Sequence, residues 1–308
     1  MSDLKIVSAE EILATEYPPL RWAVKDIMPE GFALMAGRPK IGKSWLALNM
    51  AVSVLHGTPF LGKFATEQGR ILYGAFEDGE RRIKRRLRAL GLEAIPRGLD
   101  FLFQMPRIDQ GGLEALAEWF DEQKEEQDVR LCVIDVLSKI RSPKAKGADS
   151  YQHDVDQAGK IQKLAMEFAI PTLVTHHDRK AVADDWLDQI SGTLGLAGSA
   201  DAVMLLTRDR SSALGRLRIT GRDLEVEPDL GLEFKDGIWS FVGEGEIGDL
   251  RSPDRQRIVL ALPEKEPGLS PTAIAEKTGI DPETIKKALK NLAALGLIRK
   301  TSYGEYVR

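Results

Sequence analysis

The chain of 308 residues carries 43 Lys and Arg against 47 Asp and Glu, a formal net charge of −4, with a hydrophobic fraction of 43%. That length calls for two domains, or one large domain with a small appendage, and the hydrophobic fraction excludes a disordered chain. No apolar run approaches the roughly 18 residues that a membrane-spanning helix needs. Residues 1–11 lack the apolar stretch of a signal peptide, and the lone Cys132 excludes an internal disulfide or a cysteine-built zinc site, so a cytoplasmic protein with no membrane partner is expected. Charge is uneven: residues 251–308 hold 11 Lys and Arg against 7 Asp and Glu, a net of +4, which leaves −8 on the first 250. An acidic balance argues against a protein coated in nucleic acid and leaves room for a local basic module.

In chain order, strand-like runs fall at 32–36, 70–77, 101–103, 129–136, 170–176, 202–207 and 216–220. VRLCVIDV at 129–136 and IPTLVT at 170–175 are nearly continuous in apolar residues, as strands buried on both faces are. Helical spacing separates them at 44–55, 80–90, 112–126 and 151–168. Strands alternating with helices predict an α/β domain over 1–242, its sheet mostly parallel and twisted, with 1–30 as an N-terminal extension and a closing hairpin at 233–241 around Asp236-Gly237. The glycine-rich stretch 243–252 reads as a linker. Beyond it, helices at 254–262, 270–278 (N-cap Ser270, Pro271 at its first position, stop at Gly279) and 281–295 precede a hairpin around Tyr303-Gly304, which spells a winged helix at 253–308.

Gly37-Arg38-Pro39-Lys40-Ile41-Gly42-Lys43-Ser44 matches the phosphate-binding pattern G-x-x-x-x-G-K-[ST], directly after a strand and opening a helix. Backbone N–H groups and the helix dipole form an anion nest, to which the first turn through Trp45 contributes. Lys43 would reach the terminal phosphates and the Ser44 hydroxyl would ligate Mg2+. Leu131–Asp135 is an apolar strand ending in a carboxylate, the second metal group expected beside Ser44. Glu77, at the end of its strand, is the candidate for orienting the attacking water, with Asp78 better suited to capping the following helix. His176 and His177 end the strand from Ile170, and His176 is taken as a sensor of the γ-phosphate. RRIKRRLR at 81–88 reads as a helix with a solvated basic face. Lys139, Arg141, Lys144 and Lys146 form a basic loop next to Asp135 that could track a phosphate backbone.

With these pieces placed, the sequence resembles the RepA-like branch of the RecA-type ATPases, whose best-known members are hexameric helicases of mobile plasmids. The resemblance covers residues 18–242. It rests on MAGRPKIGKSWLALNMAVSVLHGTPFLG, ILYGAFEDGERRIKRRLRALG, LCVIDVLSKIR, LVTHHDRK, SGTLGLAGSADAVMLL and LRITGRDLEVEPDLGLEF in that order. It implies a RecA-like fold, ATP and Mg2+ as cofactors, Lys43 and Ser44 as phosphate and metal groups, Asp135 as the Walker-B acid, Glu77 as the water-activating residue and His176 as the sensor. It also implies that Arg222, in Thr220-Gly221-Arg222-Asp223, is donated to a neighbouring subunit's nucleotide, with Arg208 and Arg210 as weaker candidates. Segments 138–150 and 178–197 would face a central channel and bind single-stranded DNA in a homo-hexamer.

The winged helix departs from the minimal plasmid helicase. Its third helix sets Lys286, Lys287 and Lys290 on one side and Ile285, Leu289 and Leu292 on the other, with Arg299 and Lys300 in the wing, so duplex DNA or a protein is its expected partner. The leading expectation is a Mg-ATP-dependent DNA motor in replication of a mobile element. An ATP-switched regulator that oligomerises on duplex DNA and a partner-remodelling ATPase are the alternatives. No adenine pocket can be read; Trp22 is the one aromatic offered for it.

Overall fold

The apolar runs form the centre of one sheet in the computed structural model, which describes residues 4–93, 97–124, 128–177, 186, 187, 190, 194–244, 253–294, 297–301 and 303–308. A short helix α1 (Ala9–Ala14) precedes a small hairpin of β1 (Trp22–Val24) and β2 (Met28–Pro29). Then come β3 (Gly31–Gly37), α2 (Lys43–His56), β4 (Arg70–Ala75), α3 (Glu80–Ala89), β5 (Leu99–Leu102), α4 (Gly112–Gln123), β6 (Val129–Asp135), α5 (Ser150–Glu167) and β7 (Pro171–His177). After α6 (Leu194–Ser199) follow β8 (Ala202–Arg208), β9 (Leu214–Gly221), β10 (Asp229–Lys235) and β11 (Ile238–Glu244). The last part holds α7 (Pro253–Ala261), α8 (Pro271–Thr278), α9 (Pro282–Ala294) and the short strands β12 (Arg299–Lys300) and β13 (Tyr306–Val307).

Nine strands form the main sheet in the order β11-β10-β9-β8-β3-β7-β6-β4-β5. The six from β8 to β5 are parallel, and β9, β10 and β11 add to one flank in antiparallel fashion. Side chains alternate between faces along a strand, and here the alternation follows residue parity. Ala33 and Met35 of β3, Ile71 and Tyr73 of β4, Leu131 and Val133 of β6 and Leu173 of β7 pack on the side of α2. Phe32, Leu34, Leu72, Cys132, Ile134 and Val174 pack on the side of α4 and α5. Burial on both faces explains the unbroken apolar runs, and it pushes the Cys132 thiol up to about 12, which keeps it an inert core group.

The expected hairpin at 233–241 forms between β10 and β11. Asp236 and Gly237 both carry positive φ, 51° and 90°, as a two-residue turn matched to strand twist requires. The N-terminal extension expected over 1–30 divides in two. Residues 4–19 are exposed, whereas Trp22, Ala23, Val24, Ile27 and Met28 are buried in the core beneath α2.

The three helices and two-stranded wing form their own core around Ile258, Ile274, Ile285, Leu289 and Leu292. Ser270 caps α8 as read, accepting from the Ala273 N–H at 3.2 Å, and Gly279 ends it with a φ of 66°. This unit rests on the antiparallel flank of the sheet. Leu214 and Val242 join its core, and Arg308 pairs with Glu233 at 2.7 Å. Of the expected linker, 245–252 lie outside the described residues.

Candidate nucleotide site

The loop Gly37–Ser44 turns from β3 into α2, and the chain reverses sharply to do so: Lys40 has φ 66° and Gly42 φ 108°. A Cβ at Gly42 would lie 2.9 Å from the Trp239 ring, so glycine is required there both for its φ and for the close approach. Ile41 is buried and pins the loop to the core. Three side chains from distant sequence hold the loop's outer carbonyls. Arg210 donates to Pro39 O at 3.2 Å, Arg208 Nε to Ile41 O at 3.0 Å and Trp239 Nε1 to Gly42 O at 3.1 Å. A trans peptide points its N–H opposite its C=O, so the N–H groups of Lys40, Gly42 and Lys43 face away from these donors. Together with the first turn of α2 they make the anion nest.

Lys43 is buried, and its ammonium donates to Gly37 O at 2.5 Å and Arg38 O at 3.0 Å. It also lies 3.1 Å from His177 Nδ1. Asp135 is 5% exposed and both its oxygens are engaged: Oδ1 accepts from the Thr175 hydroxyl at 2.6 Å and Oδ2 from Tyr73 at 3.0 Å. The Tyr73 hydroxyl also lies 3.3 Å from Ser44 O, so it spans from the Walker-type acid to the first turn of α2. Burial, with the charge of Asp135 beside it, pushes the Tyr73 hydroxyl well above its ordinary value, which keeps it a proton donor to the carboxylate.

These residues fit Mg2+. The ion takes one or two carboxylates or hydroxyls from protein, keeps several waters and takes its remaining oxygens from phosphates. Asp135 and Ser44 supply such a pair, and among the described residues no denser acidic or histidine cluster competes. Bound there, the ion would neutralise phosphate charge.

Residues 2–183 match the AAA domain family (AAA_25), and residues 255–299 match a winged helix-turn-helix DNA-binding family. The chain belongs to the AAA domain family. Among solved structures, the ATPase domain of a RecA-like replicative helicase aligns over 68% of this chain and 84% of that one, with a TM-score of 0.52 at 15% identity, a likeness of fold. The parallel sheet with its P-loop is therefore the RecA-like fold that the resemblance implied, and the AAA domain is a nucleoside-triphosphatase.

In this AAA domain the two neighbouring acids separate cleanly. Asp78 is buried and paired with Arg82 at 2.7 Å and with Arg86, so it ties down α3 without capping it; the N-cap is Gly79. Glu77 faces the site, 3.5 Å from His177 Nε2. The histidine that links Glu77 to Lys43 is therefore His177, and the expectation for His176 is corrected by parity. Thr175 and His177 share the face toward α2, while His176, paired in register with Ala36, points to the other.

Arg222 stands at the opposite edge of the sheet from the P-loop, paired with Asp201 at 3.2 Å. Arg208 and Arg210 reach their own P-loop within one chain. Arg208 also stacks on Phe234, 4.6 Å from the ring centre, and burial lowers its pKa. The Trp45 ring is taken up by Phe234 and by the Arg86 guanidinium, 5.3 Å away, so only its backbone belongs to the nest. Trp22 lies beside Arg21, which bonds Val129 O at the start of β6, so it is at the wrong edge for a base.

Of the basic loop, Arg141 pairs with buried Asp154, and Ser142 N bonds Gln157 at 3.0 Å. Arg141 is thus a clamp to α5, not a cation offered to a phosphate backbone. Lys139 and Lys146 are exposed, and Lys144 donates to Ser150 at 2.7 Å. Most of 178–197 lies outside the described residues. On α9, Lys287 and Lys290 are exposed beside Lys286, which pairs with Glu283 at 3.0 Å. Ile285, Leu289 and Leu292 are buried beneath them.

Proposed function

We propose that the chain is a Mg-ATP-driven DNA motor that acts on single-stranded DNA as a ring of copies in replication of a mobile element, and that its winged helix contacts duplex DNA. One observation carries the catalytic part: Lys43, His177 and Glu77 form a continuous chain of contacts at 3.1 and 3.5 Å on the edge where Asp135 is held. Lys43 stabilises charge on the transferring phosphoryl group, and Glu77 orients water and takes its proton. His177 touches both, so it holds Glu77 and Lys43 in one arrangement and can report the phosphate to the segment that follows β7. Ser44 and Asp135 hold the ion, oriented by Tyr73 and Thr175. The matched DNA-binding winged helix, with Lys286, Lys287 and Lys290 on one side of α9, and the RepA-like resemblance support DNA as partner.

ATP turnover by the purified protein alone, with single-stranded DNA and with duplex DNA tests this reading. Stimulation by single strands, lost in Lys43→Ala and in Glu77→Gln, is expected. Stimulation by duplex alone would replace the motor with the DNA-bound regulator, and no turnover under any condition would refute it.

A further inference from the structure

Two surfaces outside the nucleotide site carry opposite charge and lie on opposite flanks of the molecule. The first is the outer face of α3. Arg81, Lys84, Arg85 and Arg88 recur at helical spacing, are exposed, and have no acidic partner among the described residues. Ile83 is buried on the inner side, and Arg82 and Arg86 are held by Asp78. The second surface is a groove of about 570 Å³ beside the β9–β10 turn, with Phe64, Leu224 and Leu230 in its floor. Val226 stands in it 75% exposed. Among its acids, Asp229 and Glu244 are paired with Arg216 and Lys63, whereas Glu225 and Glu227 have no cationic partner among the described residues.

One chain cannot bring these surfaces together. The groove is built on β9 and β10 and α3 follows β4, five strand positions away in the sheet order, which is about 24 Å at the usual strand spacing. Both patches lie on the α2 side of the sheet, since Leu224 and Ile83 join the same core.

We infer that the basic face of α3 in one copy docks into the acidic groove at the β9–β10 turn of the next, so that copies associate head to tail. The contact uses two different patches, so it propagates from copy to copy and closes into a ring or extends as a filament. Arg222 opens that turn and α3 begins three residues after Glu77, so the same contact brings one copy's Arg222 to the neighbour's nucleotide edge. This consequence rests on the nucleotide site proposed above; the docking itself does not. An acidic groove has no use for nucleic acid, and α3 carries no aromatic side chain to stack on bases, so a second copy is the better occupant of both.

Sedimentation of the full chain tests the docking with two exposed charge reversals, Arg85→Glu with Arg88→Glu and Glu225→Lys with Glu227→Lys. The wild type should associate beyond a dimer at low salt and dissociate at high salt. Each reversed protein should associate at least roughly tenfold more weakly, because like charges then face each other. Mixing the two reversed proteins should restore association, since every contact again joins opposite charges. Mixing Lys43→Ala with Arg222→Ala should likewise restore part of the ATP turnover that each lacks. Reversed proteins that sediment like the wild type, or a wild type that stops at a dimer, would overturn the inference. So would loss of single-stranded oligonucleotide binding by the α3 variant with sedimentation unchanged. ATP binding by the α3 variant should match the wild type; a wild type that binds no ATP refutes the nucleotide reading and leaves the sedimentation result standing.

Discussion

Thr175→Val removes a hydroxyl and keeps the shape of the side chain at a fully buried position. Thr175 donates to Asp135 Oδ1 at 2.6 Å, and the carboxylate it serves is itself 5% exposed. Tyr73 still holds Oδ2 at 3.0 Å, so the acid stays in place with one donor fewer and greater freedom about its last torsion. A hydrogen bond to a charged group contributes about 1.5–3 kcal/mol, which is roughly 10- to 150-fold in an equilibrium constant. That loss should divide between two readouts. Chemical denaturation should show a stability loss of about 1–3 kcal/mol, and the Mg2+ concentration needed for half-maximal nucleotide binding should rise roughly tenfold or more. Thr175→Ser, which restores the hydroxyl, should recover most of both. Titration calorimetry of nucleotide at a series of Mg2+ concentrations checks the second readout. If Val binds nucleotide as weakly without Mg2+ as with it, relative to the wild type, the defect does not pass through Asp135 and the metal assignment fails. If Val and wild type share one Mg2+ dependence, the hydroxyl does not position the carboxylate.

Other residues around the loop make separate demands. Gly42→Ala places a Cβ at φ 108° and 2.9 Å from the buried Trp239 ring; a strain of about 1–3 kcal/mol should appear as a lower melting temperature together with lost nucleotide binding. Trp239→Phe keeps the packing and removes the Nε1 donor to Gly42 O, which still accepts from Leu46 N at 2.9 Å. A stability loss of about 1 kcal/mol and a few-fold weaker nucleotide binding are expected, measured on the same samples. In the winged helix, the Thr284 hydroxyl and the N–H groups of Thr284 and Glu283 hold the Asp281 carboxyl below its ordinary value. A depressed acid stabilises the fold above its unfolded pKa of about 3.9, and that contribution is lost as pH falls through the lower folded value. Thermal unfolding between about pH 6 and pH 2 should therefore be less acid-sensitive in Asp281→Asn, which keeps a capping side chain.

The elements were legible because each carried a local cause. Strands buried on both faces leave apolar runs, and the structure places β3, β4, β6, β7 and β8 within one or two residues of where those runs lie. Ser270, Gly279 and Asp236-Gly237 set their own boundaries through capping and positive φ. The P-loop was legible for the same reason: its glycines, lysine and serine are consecutive. What the sequence hid lies in long-range contacts. Arg208, Arg210 and Trp239 hold the loop's carbonyls from some 170 to 200 residues away, and no spacing rule joins them to it. The buried ion pair between Arg141 and Asp154 was hidden likewise, since Arg141 stands among lysines that do face water.

His177 is a different kind of omission, because the signal for it was present. In a parallel sheet whose strands pair in register, the residues that face the P-loop helix are fixed by counting. Asp135 ends β6 facing α2, and Val133 two residues before it sits opposite Leu173. Counting forward by two from Leu173 gives Thr175 and then His177. The same count in β4 runs Ile71, Tyr73, Ala75 and arrives at Glu77, leaving Asp78 turned toward α3, where Arg82 and Arg86 take it. The parity that chooses Glu77 over Asp78 therefore also chooses His177 over His176. A single periodicity, once anchored on Asp135, assigns both His177, which meets Lys43 at the edge of the sheet, and Glu77, which meets His177 there.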